Sequence, residues 1–112
     1  MDKIVAELIA RFGTRERIAR GTTFVQQGVA LQSLYYVLKG NVKIEQTVVS
    51  GKSMLFACAG EVNWLGDLEL FSDGDEANST ATAITDMDVV RFPMDKMRKH
   101  LKKQPELGEI FA

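Results

Sequence analysis

The sequence predicts an antiparallel β fold, a sandwich or barrel, flanked by short helices. Two observations carry the β assignment and a third places the helices. Short runs rich in β-branched and aromatic residues recur along the middle of the chain, and glycines at positions 21, 28, 40, 51, 60, 66 and 74 punctuate them. Many short strands separated by turn residues at this spacing build sandwiches and barrels. Apolar residues at helical spacing occur only near the two ends.

Taken in order, Ile4, Val5, Leu8, Ile9 and Phe12 form one apolar stripe and Gly13 follows as a stop, so residues 2 to 12 read as an amphipathic helix. Strand-like runs follow at Arg17–Arg20, Thr23–Gln26, Leu34–Leu38, Val42–Thr47, Ser53–Cys58, Ser79–Ile84 and Val89–Phe92. Within YYVLKGNVKIEQ, Gly40-Asn41 suits a tight turn with positive φ, and Ser50-Gly51 suits the next one; both read as hairpins. Side chains alternate across a strand, so one of Tyr35 and Tyr36 faces inward and the other outward. After Pro93, Met94, Met97 and Leu101 share one face of a second helix whose late cations complement a helix C-terminus. Pro105 takes a first-turn position of a third helix, whose stripe of Leu107, Ile110 and Phe111 stops at Ala112.

Composition bounds the function. At 112 residues, 46% hydrophobic and 26% charged, the chain is one domain of ordinary globular make-up. A net charge of −1 offers no general attraction to nucleic acid or acidic lipid. Its distribution is uneven: no Lys or Arg lies between Lys52 and Arg91, a stretch that holds Glu61, Asp67, Glu69, Asp73, Asp75, Glu76, Asp86 and Asp88. The single cysteine, Cys58, makes no internal disulfide and sits on an apolar strand, which points to a buried thiol and a reducing compartment, with cytoplasm as the default. No apolar run approaches the roughly 20 residues that cross a bilayer, and the N-terminus lacks a signal-peptide pattern.

GTTFVQQG, YYVLKGNVKI, the SGK turn, GDLELF and the final PEL, in this order, resemble the cyclic-nucleotide-binding-domain superfamily and, within it, the sensor domain of CRP/FNR-type bacterial transcription regulators. The resemblance covers nearly the whole chain. It implies a jelly-roll β-barrel with flanking helices and an allosteric role: an effector shifts a long dimerisation helix, here starting at Pro105, which repositions a DNA-binding domain absent from this chain. A homodimer is implied for the full-length regulator. In nucleotide-binding members a turn glycine, a carboxylate for the ribose hydroxyl and an arginine for the cyclic phosphate form the pocket. Gly66 matches the glycine, Asp67 stands in the carboxylate's place one methylene shorter, and Leu68, Leu70 and Phe71 are expected beneath. The arginine position falls on Ala77, followed by Asn78, a small polar residue. The segment between Gly60 and Gly66 is two residues longer than the usual pattern.

Without that arginine the pocket is degenerate. Removing one side of a buried charge pair costs about 2–5 kcal/mol, and each ~1.4 kcal/mol is tenfold in affinity, so micromolar nucleotide binding falls toward millimolar. The expected effector is therefore an unidentified small molecule other than a cyclic nucleotide, neutral or cationic to suit the acidic surroundings, unless Arg91 or Lys43 reaches in from another strand. Trp64 is expected to pack as core or lid, with ligand stacking as the alternative. The alternative readings are a cyclic-nucleotide-binding regulatory module of a channel, kinase or signalling protein, and a cupin-like small-molecule enzyme. No cofactor is expected: the lone His100, on a basic helix face read as solvated, supplies neither a metal site nor a catalytic triad. The SDGDE run lacks the ligand spacing of a calcium loop and reads as a solvated hairpin tip.

Overall fold

Two four-stranded antiparallel sheets face each other across an apolar interior. The computed structural model describes residues 2–47, 53–58, 63–72 and 74–111, the stretch 53–58 through its backbone alone. Helix α1 spans Lys3–Phe12; β1 (Thr14–Ile18), β2 (Thr23–Val25), β3 (Ser33–Lys39), β4 (Val42–Thr47), β5 (Ser53–Cys58) and β6 (Trp64–Leu65) follow. Helix α2 (Asp67–Leu70), β7 (Thr80–Ala83), β8 (Met87–Pro93), α3 (Met94–Lys103) and a 3₁₀ turn (Pro105–Phe111) complete the chain. One sheet has the order β1-β8-β3-β6 and the other β2-β7-β4-β5. The expected jelly-roll architecture is borne out, with consecutive strands repeatedly changing sheet.

That exchange corrects one expectation. Gly40 has φ +108, as a tight turn requires, but β3 and β4 belong to different sheets and do not pair. The turn is a corner between sheets, not a hairpin. It docks on the β7–β8 corner: Asn41 N–H donates to Thr85 Oγ1 at 3.0 Å and Ile84 N–H to Asn41 O at 2.9 Å. A side chain at Gly40 would put Cβ 2.7 Å from Asp86 O. The β4–β5 pairing is antiparallel, while its Ser50-Gly51 turn lies outside the described residues. The thiol of Cys58, also outside them, stands on a strand whose backbone pairs with Lys43.

Strand β8 serves two cores. Met87 and Val89 join Ile18, Val25, Tyr35, Val42 and Leu65 between the sheets. Val90 and Phe92 face the other way and join Leu8, Leu34, Leu70, Met94 and Met97 beneath the helices. Tyr35 and Tyr36 split as alternation demands: Tyr35 packs edge-on against Phe24 in the inter-sheet core, and Tyr36 against Trp64 under the helical layer. Full burial of such side chains contributes about 1.5–3 kcal/mol each, so the helices are held by the sheet rather than by their own short length.

At the N-terminus, Asp2 caps α1 by accepting Ile4 N–H at 2.7 Å. Gly13 stops the helix for want of space: its φ is an ordinary −85, but an added Cβ would lie 2.5 Å from Val90 Cγ1. The third helix forms as a 3₁₀ turn instead of an α-helix, Leu107 N–H reaching Gln104 O at 3.1 Å. Gly108 in its middle weakens an α-helical continuation, and Phe111 is held by ring contacts with Trp64 and Phe71. His100 is packed against Phe12, ring centroids 5.1 Å apart, rather than freely solvated.

Candidate ligand-binding site

Strand β6, two residues that the sequence reading missed, positions the site. Leu65 pairs with Tyr35 and Trp64 with Tyr36, anchoring the chain to the first sheet just before Gly66. Gly66 then turns with φ +94, and a Cβ there would lie 3.1 Å from Leu31 Cδ2 and 3.3 Å from Ser33 O. This glycine is demanded by its backbone conformation, in a tight but yielding space. It caps α2, the single turn Asp67–Leu70.

The loop after α2 is bonded down its length. Gly28 N–H reaches Ala77 O, Ala77 N–H reaches Val29 O and Leu31 N–H reaches Asp75 O, at 2.9, 2.9 and 2.7 Å. Ala30 and Glu76 form an isolated bridge. The acidic run is thus a strapped crossover between α2 and β7 and not a hairpin tip, Asp73 lying outside the described residues.

The cation missing from the local sequence arrives from α3. Arg98 Nη2 donates to Glu69 O at 2.7 Å and to Gly74 O at 3.1 Å, Nε donates to Leu70 O at 3.4 Å, and Nη1 pairs with Asp75 Oδ1 at 3.3 Å. One guanidinium closes the C-terminal carbonyls of α2 and ties the crossover to the helix that follows the barrel. The solvated-face reading of the basic helix therefore fails at this residue.

Glu69 is the other residue that sequence reasoning passed over. Its side chain is only 6% exposed, a rare state for a carboxylate. Oε1 accepts Asn78 N–H at 2.9 Å. Its place in an acidic run gave no local signal of burial, which tertiary packing alone imposes. Asp67 stands one turn-face away. Burial pushes its carboxyl above the ordinary 3.8, bonds from its own and Leu68's backbone N–H groups pull it partly back, and the charge of Glu69 raises it again.

These groups surround a cavity of about 330 Å³ between α2 and the second sheet. Of the residues expected at the site, Trp64, Gly66, Asp67, Leu68 and Asn78 line it, together with Val25, Leu31, Ile44, Gln46 and Glu69. Leu68 nonetheless remains 72% exposed. Ala77 is buried in the adjoining inter-sheet core. Phe71 is outside the lining, 60% exposed, with its ring edge-on to Phe111. Leu70 turns toward the helical core. Trp64 packs on Tyr36, Phe92 and Phe111 while bordering the cavity. Neither substitute cation reaches in: Lys43 pairs with Glu45 at 3.0 Å and Arg91 with Glu16 at 3.4 Å. Larger clefts of about 620 and 550 Å³ lie beside Arg91 and Arg98 and between α2 and α3, and their lining excludes Glu69.

The model of the cyclic nucleotide-binding domain matches residues 15–104. The chain belongs to that family. Among similar proteins, a CRP-like cAMP-activated global transcriptional regulator of Mycobacterium tuberculosis is 31% identical over 90 residues, 80% of this chain and 40% of the relative. The cAMP-activated global transcriptional regulator CRP of Salmonella typhimurium is 28% identical over 86 residues, 77% and 41% of the two. The chain thus spans about two fifths of the length of these curated relatives. The N-terminal domain of a transcriptional regulator from Streptomyces coelicolor A3(2) superposes with a TM-score of 0.74 at 29% identity, covering 99% of this chain and 76% of that one. In this cyclic nucleotide-binding domain, the Gly66 turn and its short helix are in place, position 77 carries alanine, and a carboxylate takes the Asn78 N–H.

Proposed function

We propose that the chain is the effector-sensing domain of a CRP/FNR-type transcription regulator and not an enzyme, with a cassette that does not hold a cyclic phosphate. In that regulator, dimerisation begins at the segment from Pro105 and DNA is bound by a separate domain. One observation carries the cassette reading: Glu69, buried beside the cavity, already occupies the Asn78 N–H with its own carboxylate. An anionic ligand would meet two carboxylates, Glu69 and Asp67, and among the described lining residues no Lys, Arg or His. Transmission to the rest of the regulator runs through Arg98, which joins the end of α2 to α3. Such a switch works only if the effector binds one arrangement better than the other.

Calorimetric titration with cyclic AMP and cyclic GMP tests the reading. The unaltered chain is expected to show no saturable heat below the millimolar range, a binding free energy weaker than about −4 kcal/mol. Ala77→Arg alone is expected to stay silent, because the new guanidinium pairs with Glu69. Ala77→Arg combined with Glu69→Ala removes that internal partner and gains nucleotide binding. Micromolar affinity in the unaltered chain overturns the reading.

A further inference from the structure

We propose that the cavity beside Glu69 binds a small organic cation, a primary amine on an aromatic or apolar body, with its ammonium seated on the Glu69 carboxylate. The inference rests on the reading of the chain as an effector sensor without a phosphate site, and it names the class of effector.

The buried carboxylate is half served. Oε1 has the Asn78 N–H, whereas Oε2 has no protein partner among the described residues and opens onto the cavity. On a residue this buried, the oxygen left without a protein donor is the natural seat for a compensating charge. Arg98 supplies neither, since its bonds near this residue go to the backbone oxygens of Glu69 and Leu70. Lys43 and Arg91 are paired elsewhere, with Glu45 and Glu16, and neither lines the cavity. A ligand ammonium has the three donors and the charge that Oε2 and the neighbouring Asp67 lack.

The rest of the lining selects the body. Val25, Leu31, Ile44 and Leu65 make an apolar wall, Trp64 contributes an indole, and Gln46 and Ser79 offer polar contacts. An indole beside two carboxylates attracts cations through its ring face as well. The volume of about 330 Å³ is at the small end of the ~300–1,000 Å³ typical of small-molecule sites, which suits a single-ring amine.

The test uses phenethylamine, with phenylacetate as the anion of similar shape and 2-phenylethanol as the neutral one, each titrated into the ¹⁵N-labelled 112-residue chain and followed by NMR. Phenethylamine is expected to shift the Asn78 amide and the Trp64 indole N–H saturably, and phenylacetate to shift neither. Glu69→Gln, which keeps an acceptor for Asn78 N–H, is expected to weaken the amine at least tenfold. Absence of a saturable amine shift, equal affinity for all three probes, or an amine affinity untouched by Glu69→Gln overturns the proposal. Cyclic AMP added to the same sample separates the two readings. Its tight binding sinks the phosphate-free cassette, whereas silence from both cyclic AMP and amine sinks only the amine.

Discussion

Two corners of the molecule are built from the same parts and end with opposite electrostatics. At the corner where the sheets exchange strands, Gly40 at φ +108 lies against Asp86, whose Oδ1 accepts Arg20 N–H at 2.9 Å and whose Oδ2 pairs with Arg17 at 3.2 Å. At the cassette, Gly66 at φ +94 leads into Asp67 and Glu69, which receive backbone N–H groups but, among the described residues, no cation on their carboxylates. The first carboxyl is held below its ordinary pKa and the second, Asp67, above it. Charge at the structural corner is settled within the chain; at the cassette it is left for something else to settle. Uncompensated local cost of this kind marks functional sites.

Exchanging the two glycines for alanine breaks the comparison most sharply. At Gly40 the new Cβ meets backbone, Asp86 O at 2.7 Å and Met87 Cα at 2.9 Å, on top of the positive φ. At Gly66 the nearest atom is the end of a flexible side chain, Leu31 Cδ2 at 3.1 Å, which can move aside. Gly40→Ala is expected to cost about 3 kcal/mol or more, strain and overpacking together, and Gly66→Ala about 1–2 kcal/mol from strain. Urea denaturation monitored by Trp64 fluorescence gives both numbers. Equal losses would mean that the corner has as much room to yield as the cassette.

Arg98 supplies the next largest effect, because it is the cassette's counterpart to Arg17. Arg17 is largely exposed and its ion pair contributes little, as surface pairs do. Arg98 is mostly covered and bonds three carbonyl oxygens besides Asp75. Arg98→Met keeps the stem and strips the donors, and is expected to cost about 2 kcal/mol, against less than about 0.5 for Arg17→Met. The same variant loosens α2 from α3, which hydrogen exchange at the amides of 70, 72 and 77 would register as faster opening. Unchanged exchange there would remove Arg98 from the route between cavity and helix.

These contrasts also separate what the sequence could reveal from what it could not. Strands β4 and β5, both end helices and the Gly66 turn follow from local signals: residue period, proline and glycine placement. Sheet membership does not, because a turn at Gly40-Asn41 looks the same locally whether its strands pair or part. Only the Thr85 and Asp86 contacts, forty-odd residues away, decide for a corner. At the cassette, the glycine at 66 and the alanine at 77 were visible, being matters of residue identity. The burial of Glu69 and the reach of Arg98 were not, because a Glu in an acidic run and an Arg in a basic helix look solvated until tertiary packing aims them.

The smallest effects are those of pH, and they run in opposite directions at the two corners. Asp86 is held below the ordinary 3.8, first by the Arg20 N–H and then by Arg17, so it binds its proton less readily folded than unfolded. Its contribution is complete above pH 3.8 and is lost as pH falls from there through the folded value. Asp67 is raised, chiefly by burial, so the folded state holds the proton more tightly than the unfolded one. Its penalty is absent below pH 3.8 and grows as pH climbs through the folded value, above which it is complete. Asp86→Asn is therefore expected to flatten the acid limb of the stability curve with little change in its pH dependence toward neutrality. Asp67→Asn is expected to raise the unfolding midpoint near pH 7 and to lose that gain on acidification. Thermal unfolding of the two variants and the unaltered chain from pH 3 to 7 reads both limbs, and a parallel response from the two variants would erase the electrostatic distinction between the corners.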